Sequence, residues 1–337
     1  MPAPLTRRVC GIAMLALAAL GSHASADETL QAELIGVKRI WDEGRHNAFT
    51  DLIRWEDAWW CAFREGDTHA GSHGFLRVLT STDGEAWEPV ARLDHNEFDL
   101  RDANLSITPS GELMMVGGAQ IDRDNRRLTG TFTAATTDGR TWTTPAMVIE
   151  PGRWMWGVTW REGTAYGVSY GTPDNAGRNE LLTSTDGRSF NVFAPDFLTI
   201  GGRPTEARIR FADSGVAYCL QRCDGDDNHA YLGKADPPYR DWQWRRLDRF
   251  IGGPNLLQLP SGRWVAAGRQ LLKAGARTVI AELNPADGHL ENILVLPSGG
   301  DCSYPGLVWH EDRLWVSYYS SHEDHTSIYL AQVSIED

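Results

Sequence analysis

Ser81-Thr82-Asp83-Gly84-Glu85-Ala86-Trp87 recurs as Thr136-Thr137-Asp138-Gly139-Arg140-Thr141-Trp142 and again as Ser184-Thr185-Asp186-Gly187-Arg188-Ser189-Phe190. The copies lie about fifty residues apart, and a period of that size marks a repeat architecture. Each copy separates two short apolar stretches, so each reads as a hairpin turn. Asp suits such a turn because its carboxylate accepts local backbone N–H bonds, and Gly because it tolerates φ > 0. The closing Trp or Phe reads as a pin that holds the turn against its sheet.

A second series of turns has the same period. It runs Trp55-Glu56-Asp57, Pro109-Ser110-Gly111, Trp160-Arg161-Glu162-Gly163, Phe211-Ala212-Asp213-Ser214-Gly215, Pro260-Ser261-Gly262 and His310-Glu311-Asp312. Eroded fourth and fifth copies of the first motif stand at Asp236-Pro237-Pro238-Tyr239 and Asp287-Gly288. Each unit reads as four strands; in the first they are 49–54, 58–63, 74–81 and 87–93. Long helical periodicity is absent, and the apolar stretches are rich in Val, Leu, Thr, Trp and Tyr. Radial repetition of four-stranded sheets predicts an all-β, six-bladed β-propeller. The last unit, 301–335, holds only three strands, and the stretch 33–41 is expected to supply the fourth and close the ring. Residues 27–337 then form a single domain. The 14 Trp residues read mostly as packing between blades.

The first 26 residues read as a secretory signal: Arg7 and Arg8, an apolar run from Gly11 to Leu20, and Ala24-Ser25-Ala26 as a cleavage site. The run is too short to span a bilayer. The expected location is secreted or periplasmic, with no membrane insertion. Residues 1–26 carry two Arg and no acid, so their removal takes the formal charge from −13 to −15. An acidic body repels phosphate backbones, which excludes nucleic acid as the expected partner. Cys61, Cys219, Cys223 and Cys302 remain, and their pairing is left open.

Strand alternation places both turn series on one face, where the Asp residues read as turn stabilisers. The linkers between blades and the loops joining second to third strands share the other face. They carry His46, Asp51, Arg64, Asp67, His69 and His73 from blade one, and Arg101 and Asp102 from blade two. Blade three adds Trp156, blade four Glu206 and Arg222, and blade five Arg269 and Arg277. Blade six adds Asp301, Tyr304, Tyr319, His322 and Glu323. A funnel lined by Arg, acids, Tyr and His at the ring centre is where a polar ligand is expected.

Taken together, the turns and these residues resemble the sialidase superfamily, six-bladed propellers that carry Asp-box repeats of this form. The resemblance implies a glycan or acidic-sugar substrate and no cofactor. Ser303-Tyr304-Pro305-Gly306-Leu307 is similar to the segment of the family's Tyr nucleophile. Thr205-Glu206-Ala207-Arg208, followed by Tyr218-Cys219-Leu220-Gln221-Arg222, is similar to that of its Glu and the Arg after it. A Tyr attacks an anomeric carbon only if a neighbouring carboxylate takes its proton. Arg277 resembles the third carboxylate-binding Arg, with Arg269 as competitor. Two positions depart from the family. Ala48-Phe49-Thr50-Asp51 replaces the segment of the first Arg, and Gly71 stands where the Asp acid/base belongs. Arg64 is the expected substitute for the first; Asp67, His69 or His73 for the second, with Asp51 and Asp102 also within reach.

The expectation is an exo-acting, sialidase-like glycoside hydrolase, with Tyr304 as nucleophile, Glu206 as base and Arg64, Arg222 and Arg277 as anion clamp. Arg101, Asp102, Arg269, Asp51, His322 and Glu323 are further candidates for substrate contact. Two alternatives stay open: a polysaccharide lyase using His, Tyr and Arg, and a non-catalytic carbohydrate-binding propeller. No metal site is expected. Ser321-His322-Glu323-Asp324-His325 lacks the spacing of a zinc helix, and Asp224-Gly225-Asp226-Asp227-Asn228 lacks the calcium-loop pattern.

Overall fold

A computed structural model describes residue 1 and residues 29–123, 126–172, 177–226 and 228–336. The signal segment therefore lies, Met1 aside, outside the described residues, as does Asp227 of the oxygen-rich loop. The described chain is all β: 24 strands in six four-stranded antiparallel sheets set around a ring. The innermost strands are His46–Trp55, Asp99–Ile107, Arg153–Arg161, Arg203–Phe211, Gly252–Gln258 and Cys302–His310. Among the described residues no helix is long and apolar enough to cross a membrane.

Closure is antiparallel pairing between the two ends of the chain. Gln31–Trp41 lies along Ser327–Glu336, from Gln31↔Glu336 to Trp41↔Ile328. Blade six thus takes its outer strand from the amino end, two residues longer at its start than the sequence predicts. A ring shut this way opens only by breaking a whole ladder.

The blades are held together by apolar side chains wedged between neighbouring sheets. Leu76, Val78, Leu100, Leu113, Met115 and Phe132 form one such wedge. Each fully buried Leu, Val or Phe contributes about 1.5–3 kcal/mol. The Ser/Thr-x-Asp-Gly turns belong to this packing. Asp138 Oδ1 accepts from the N–H groups of Arg140 at 2.8 Å and Thr141 at 2.7 Å, and Trp142 Nε1 donates to the Gly139 carbonyl at 3.1 Å. Asp83 and Asp186 repeat the pattern. Gly139 has φ 70°, and a Cβ there would lie 1.9 Å from the Trp60 ring of the preceding blade. Gly is required on both counts. Trp315 lies against Gly84 in the same way. In blade four Tyr239 takes the glycine's place at φ 63°, and Trp242 Nε1 donates to its carbonyl. The four cysteines among the described residues, Cys61, Cys219, Cys223 and Cys302, are buried.

Candidate active site

Each innermost strand breaks register once near its start, so that two of its residues face one on the next strand. The pairs are Phe49–Thr50, Asp102–Ala103, Gly157–Val158, Thr205–Glu206, Gly253–Pro254 and Tyr304–Pro305. A bulge bends its strand and re-aims a side chain. Here the device is repeated six times around the mouth of the channel. Phe49, Asp102 and Tyr304 hold φ of 62°, 53° and 54°, a region that disfavours non-Gly residues. Strain of this kind persists only where the surroundings over-determine it.

The bulges of blades four and six bring Glu206 and Tyr304 together across the ring. Tyr304 Oη donates to Glu206 Oε1 at 2.5 Å. Arg222 Nη1 lies 2.9 Å from both carboxylate oxygens and 3.3 Å from Tyr304 Oη. The Gly253 N–H donates to Glu206 Oε2 at 2.8 Å. A side chain at Gly253 would strike the Tyr304 ring, 2.7 Å from its Cγ. Around that ring stand Phe49, Trp156 and Tyr319, with Arg269 Cζ 5.7 Å from its centroid. Burial pushes the Tyr304 phenol up, the Glu206 carboxylate pushes the same way, and Arg222 and Arg269 oppose them. The phenol is therefore neutral at rest, and the arrangement would let it act as a nucleophile only if Glu206 took its proton.

Asp102 is the second carboxylic acid of the mouth. Burial raises it from 3.8 to about 6; Arg101 opposes the rise and Glu206 adds to it. Beside Tyr304 lies a hub on Asp301. Its Oδ2 meets His46 Nε2 at 2.9 Å and His69 Nδ1 at 2.6 Å, and its Oδ1 accepts from the Tyr319 hydroxyl at 2.8 Å. Burial alone would raise the Asp301 carboxyl, but these partners outweigh it and hold it well below the usual range.

Several expected site residues lie elsewhere. Arg64 is fully buried; it pairs with Asp99 at 2.7 Å and donates to the carbonyls of Thr68 and Ser72. It braces the loop 67–73 and is no part of an anion clamp. Arg277 donates to the Ala276 carbonyl and flanks Gly299 beside His322, whereas Arg269 is the one that stands against the Tyr304 ring. Asp51 lies below the mouth, accepting from the N–H groups of Leu52 and Leu105 and from Arg208. His73 pairs with Asp94, Glu323 with Arg39 and the Tyr329 hydroxyl, and His322 with Ser320. Asp67 is exposed on its loop. Arg101 lies over the Phe49 ring, 3.6 Å from Asp99.

Sequence reasoning missed Gly253, whose Gly-Gly-Pro setting was the available signal, and Arg208, which holds Asn104 at 2.6 Å beneath the mouth. The far end of the channel opens on a cavity of about 470 Å³ lined by Trp160, Arg210 and Trp309. Arg210 there is engaged by Leu256, Thr159 and Asn255, and among the described residues lining the cavity no nucleophile–base pair is seen.

No family model matches the chain, and no curated protein matches it in sequence. The solved structures supply the likeness. A Dyadobacter fermentans protein of unknown function superposes with a TM-score of 0.79 at 20% identity, covering 90% of this chain and 99% of that one. The α-L-arabinofuranosidase of Fusarium graminearum, solved with an iminosugar inhibitor, gives 0.69 at 14% identity over 89% and 97%. A mutant Trypanosoma rangeli sialidase with trans-sialidase activity gives 0.65 at 11% over 89% of this chain and 58% of that one. The fold is the six-bladed propeller that these proteins share.

Proposed function

We propose that this chain is a glycoside hydrolase that removes a terminal sugar through a covalent intermediate on Tyr304. The 2.5 Å hydrogen bond between Tyr304 Oη and Glu206 Oε1 carries the reading. In the first step Tyr304 Oη bonds to the anomeric carbon while its proton passes to Glu206. The glycosidic bond breaks, and the leaving oxygen takes a proton from Asp102. In the second step water attacks the same carbon and gives its proton to Asp102. The bond to Tyr304 breaks, and Glu206 returns the proton to the phenolate. Two displacements on one carbon retain its configuration. Asp102 suits the acid role because burial keeps it protonated at mildly acidic pH.

The mouth holds fewer free cations than a three-Arg clamp would. Arg222 is taken up by Glu206 and, at 2.9 Å, by Asp224, which leaves Arg269 as the guanidinium beside Tyr304. The substrate is thus a terminal sugar, neutral or carrying a single anionic group near Arg269. That the similar folds include an arabinofuranosidase and a sialidase supports a sugar ligand.

A lyase reading has one observation in its favour. The half-exposed His69 is held by Asp301 close to Tyr304, a set suited to moving a proton α to a uronate. Purified protein screened against aryl glycosides and acidic glycans, with products weighed, decides between the two. Hydrolysis adds water, whereas elimination leaves an unsaturated sugar absorbing in the ultraviolet. Tyr304→Phe is expected to abolish hydrolysis. Unchanged turnover in that variant, or binding without turnover across the panel, would remove the assignment.

A further inference from the structure

We propose that His46, His69 and Asp301 form a binding site for a divalent transition metal of the zinc type. Each side chain offers one ligand atom, and the three atoms lie within 4.8 Å of one another. They come from the start of blade one, from its second loop and from the linker into blade six. Ring closure, not a sequence motif, assembles them. For that reason the His-rich stretch 321–325, the obvious place to look in the sequence, is not where the cluster forms.

The geometry is that of a three-ligand site with one open position. Both imidazoles point a ring nitrogen at the same oxygen, Oδ2 of Asp301, at 2.9 and 2.6 Å. Zinc bonds to N and O run about 2.0–2.2 Å, which sets tetrahedral ligand atoms about 3.3 Å apart. The two His–Asp301 separations therefore need to open by less than about 1 Å to admit the ion. Asp301 Oδ1 is already held by the Tyr319 hydroxyl at 2.8 Å, the outer partner that orients a ligating carboxylate. His46 is buried, and the Phe49 ring packs edge-on to His69 at 5.1 Å and tilted to His46 at 6.4 Å, so neither ring turns freely. His69 is half exposed and leaves the fourth position open to the funnel.

Two imidazole nitrogens and one carboxylate suit zinc or its first-row neighbours. Calcium and magnesium require more oxygen ligands than stand here. Arg269 Nη1, 4.0 Å from Asp301 Oδ1, repels a cation and sets the affinity below that of a closed structural site.

The test uses the full chain, stripped with chelator and titrated with zinc chloride by calorimetry and with cobalt(II) by visible absorption. The expected result is one saturable equivalent, with the intense visible bands of tetrahedral cobalt. His69→Gln, an exposed position where folding is not at stake, should abolish saturable binding. Tyr319→Phe should weaken it by about tenfold or more. Tyr304→Phe should bind as the parent does, so this proposal stands or falls apart from the hydrolytic one. No saturable binding, or binding undiminished in His69→Gln, would leave only a hydrogen-bond hub and overturn the site.

Discussion

On the turn-rich face Asp83, Asp138 and Asp186 stand in water, yet each carboxyl is held below its ordinary range by the two backbone N–H groups that point at it. At the opposite mouth Asp102 is buried and pushed up to about 6, and Glu206 is tied to a phenol and a guanidinium. The same kind of side chain does opposite work on the two faces. Where backbone N–H groups converge on one carboxylate oxygen, the side chain becomes a fastener held in its charged form. Where the fold removes water and sets acids beside Tyr and Arg, it takes the surroundings that the proposed proton transfer needs.

The largest expected effect tests the proton-carrying half of that contrast. Glu206→Gln keeps the shape and loses the base, so hydrolysis should fall by about 10²–10⁴-fold in single-turnover assays. A fall of less than tenfold would mean that Tyr304 gives its proton elsewhere. Next comes Arg64→Met, which asks whether every charge on the mouth face is functional. Removing one partner of a buried ion pair costs up to about 3–5 kcal/mol; here Asp99 keeps only the longer pairing with Arg101 at 3.6 Å, and the Thr68 and Ser72 carbonyls lose their donor. Urea unfolding should show that loss, while KM for the substrate moves only as far as the loop 67–73 relaxes. Loss of activity at full stability would return Arg64 to the substrate.

Asp102→Asn sharpens the comparison through pH. Unfolded, Asp102 loses its proton near 3.8; folded, it holds it to about 6. Between those values the folded state binds more protons, so the parent loses stability as pH rises from about 4 to 6 and stays lower above. At roughly 1.4 kcal/mol per pH unit, Asp102→Asn should gain on the order of 2–3 kcal/mol at pH 8 relative to pH 4. If Asp102 is the proton donor, kcat/KM of the parent declines above about pH 6 and the variant loses that limb. A flat difference in stability across the range would mean the carboxyl is not held protonated.

The blades were legible from sequence because their signals are local. An Asp-Gly turn answers to its own four or five residues, and Trp142 announces the turn it pins. The closing strand was legible from an arithmetic gap, three strands where four were needed. The mouth was harder to read. Arg64 and Arg269 occupy the same place in the repeat, opposite the residue just before the bulge, at Ala48 and Gly252. One turns into a slot and the other into the funnel. The slot exists because Gly66 and Gly74 have no Cβ: one at Gly74 would lie 2.4 Å from Arg64 Nε. Phe49, Asp102 and Tyr304 take positive φ through sheet register and ring closure, and no residue preference foretells that. That Tyr304 and Glu206 would meet could be expected because their flanking segments carry a family likeness. Proposing Asp102 over Asp67 or Asp51 needed coordinates: Asp67 is exposed, Asp51 is buried with its oxygens held by Leu52, Leu105 and Arg208, and Asp102 is buried at the mouth.

The smallest expected effect belongs to the fastener half. Asp138→Ala removes the acceptor of the Arg140 and Thr141 N–H groups but leaves Thr136 Oγ1, which still takes the Gly139 N–H at 2.9 Å, and Trp142 on the Gly139 carbonyl. The turn loosens without opening. Because the folded carboxyl is pulled down to about 2, the unfolded chain binds its proton first as pH falls from about 4. The stabilisation is therefore complete above that pH and fades towards 2. Parent and variant should differ in Tm by a small, constant amount at neutral pH and converge in acid, with kcat/KM unchanged throughout. A drop in kcat/KM at unchanged Tm would carry chemistry to the turn-rich face and dissolve the division of labour between the two.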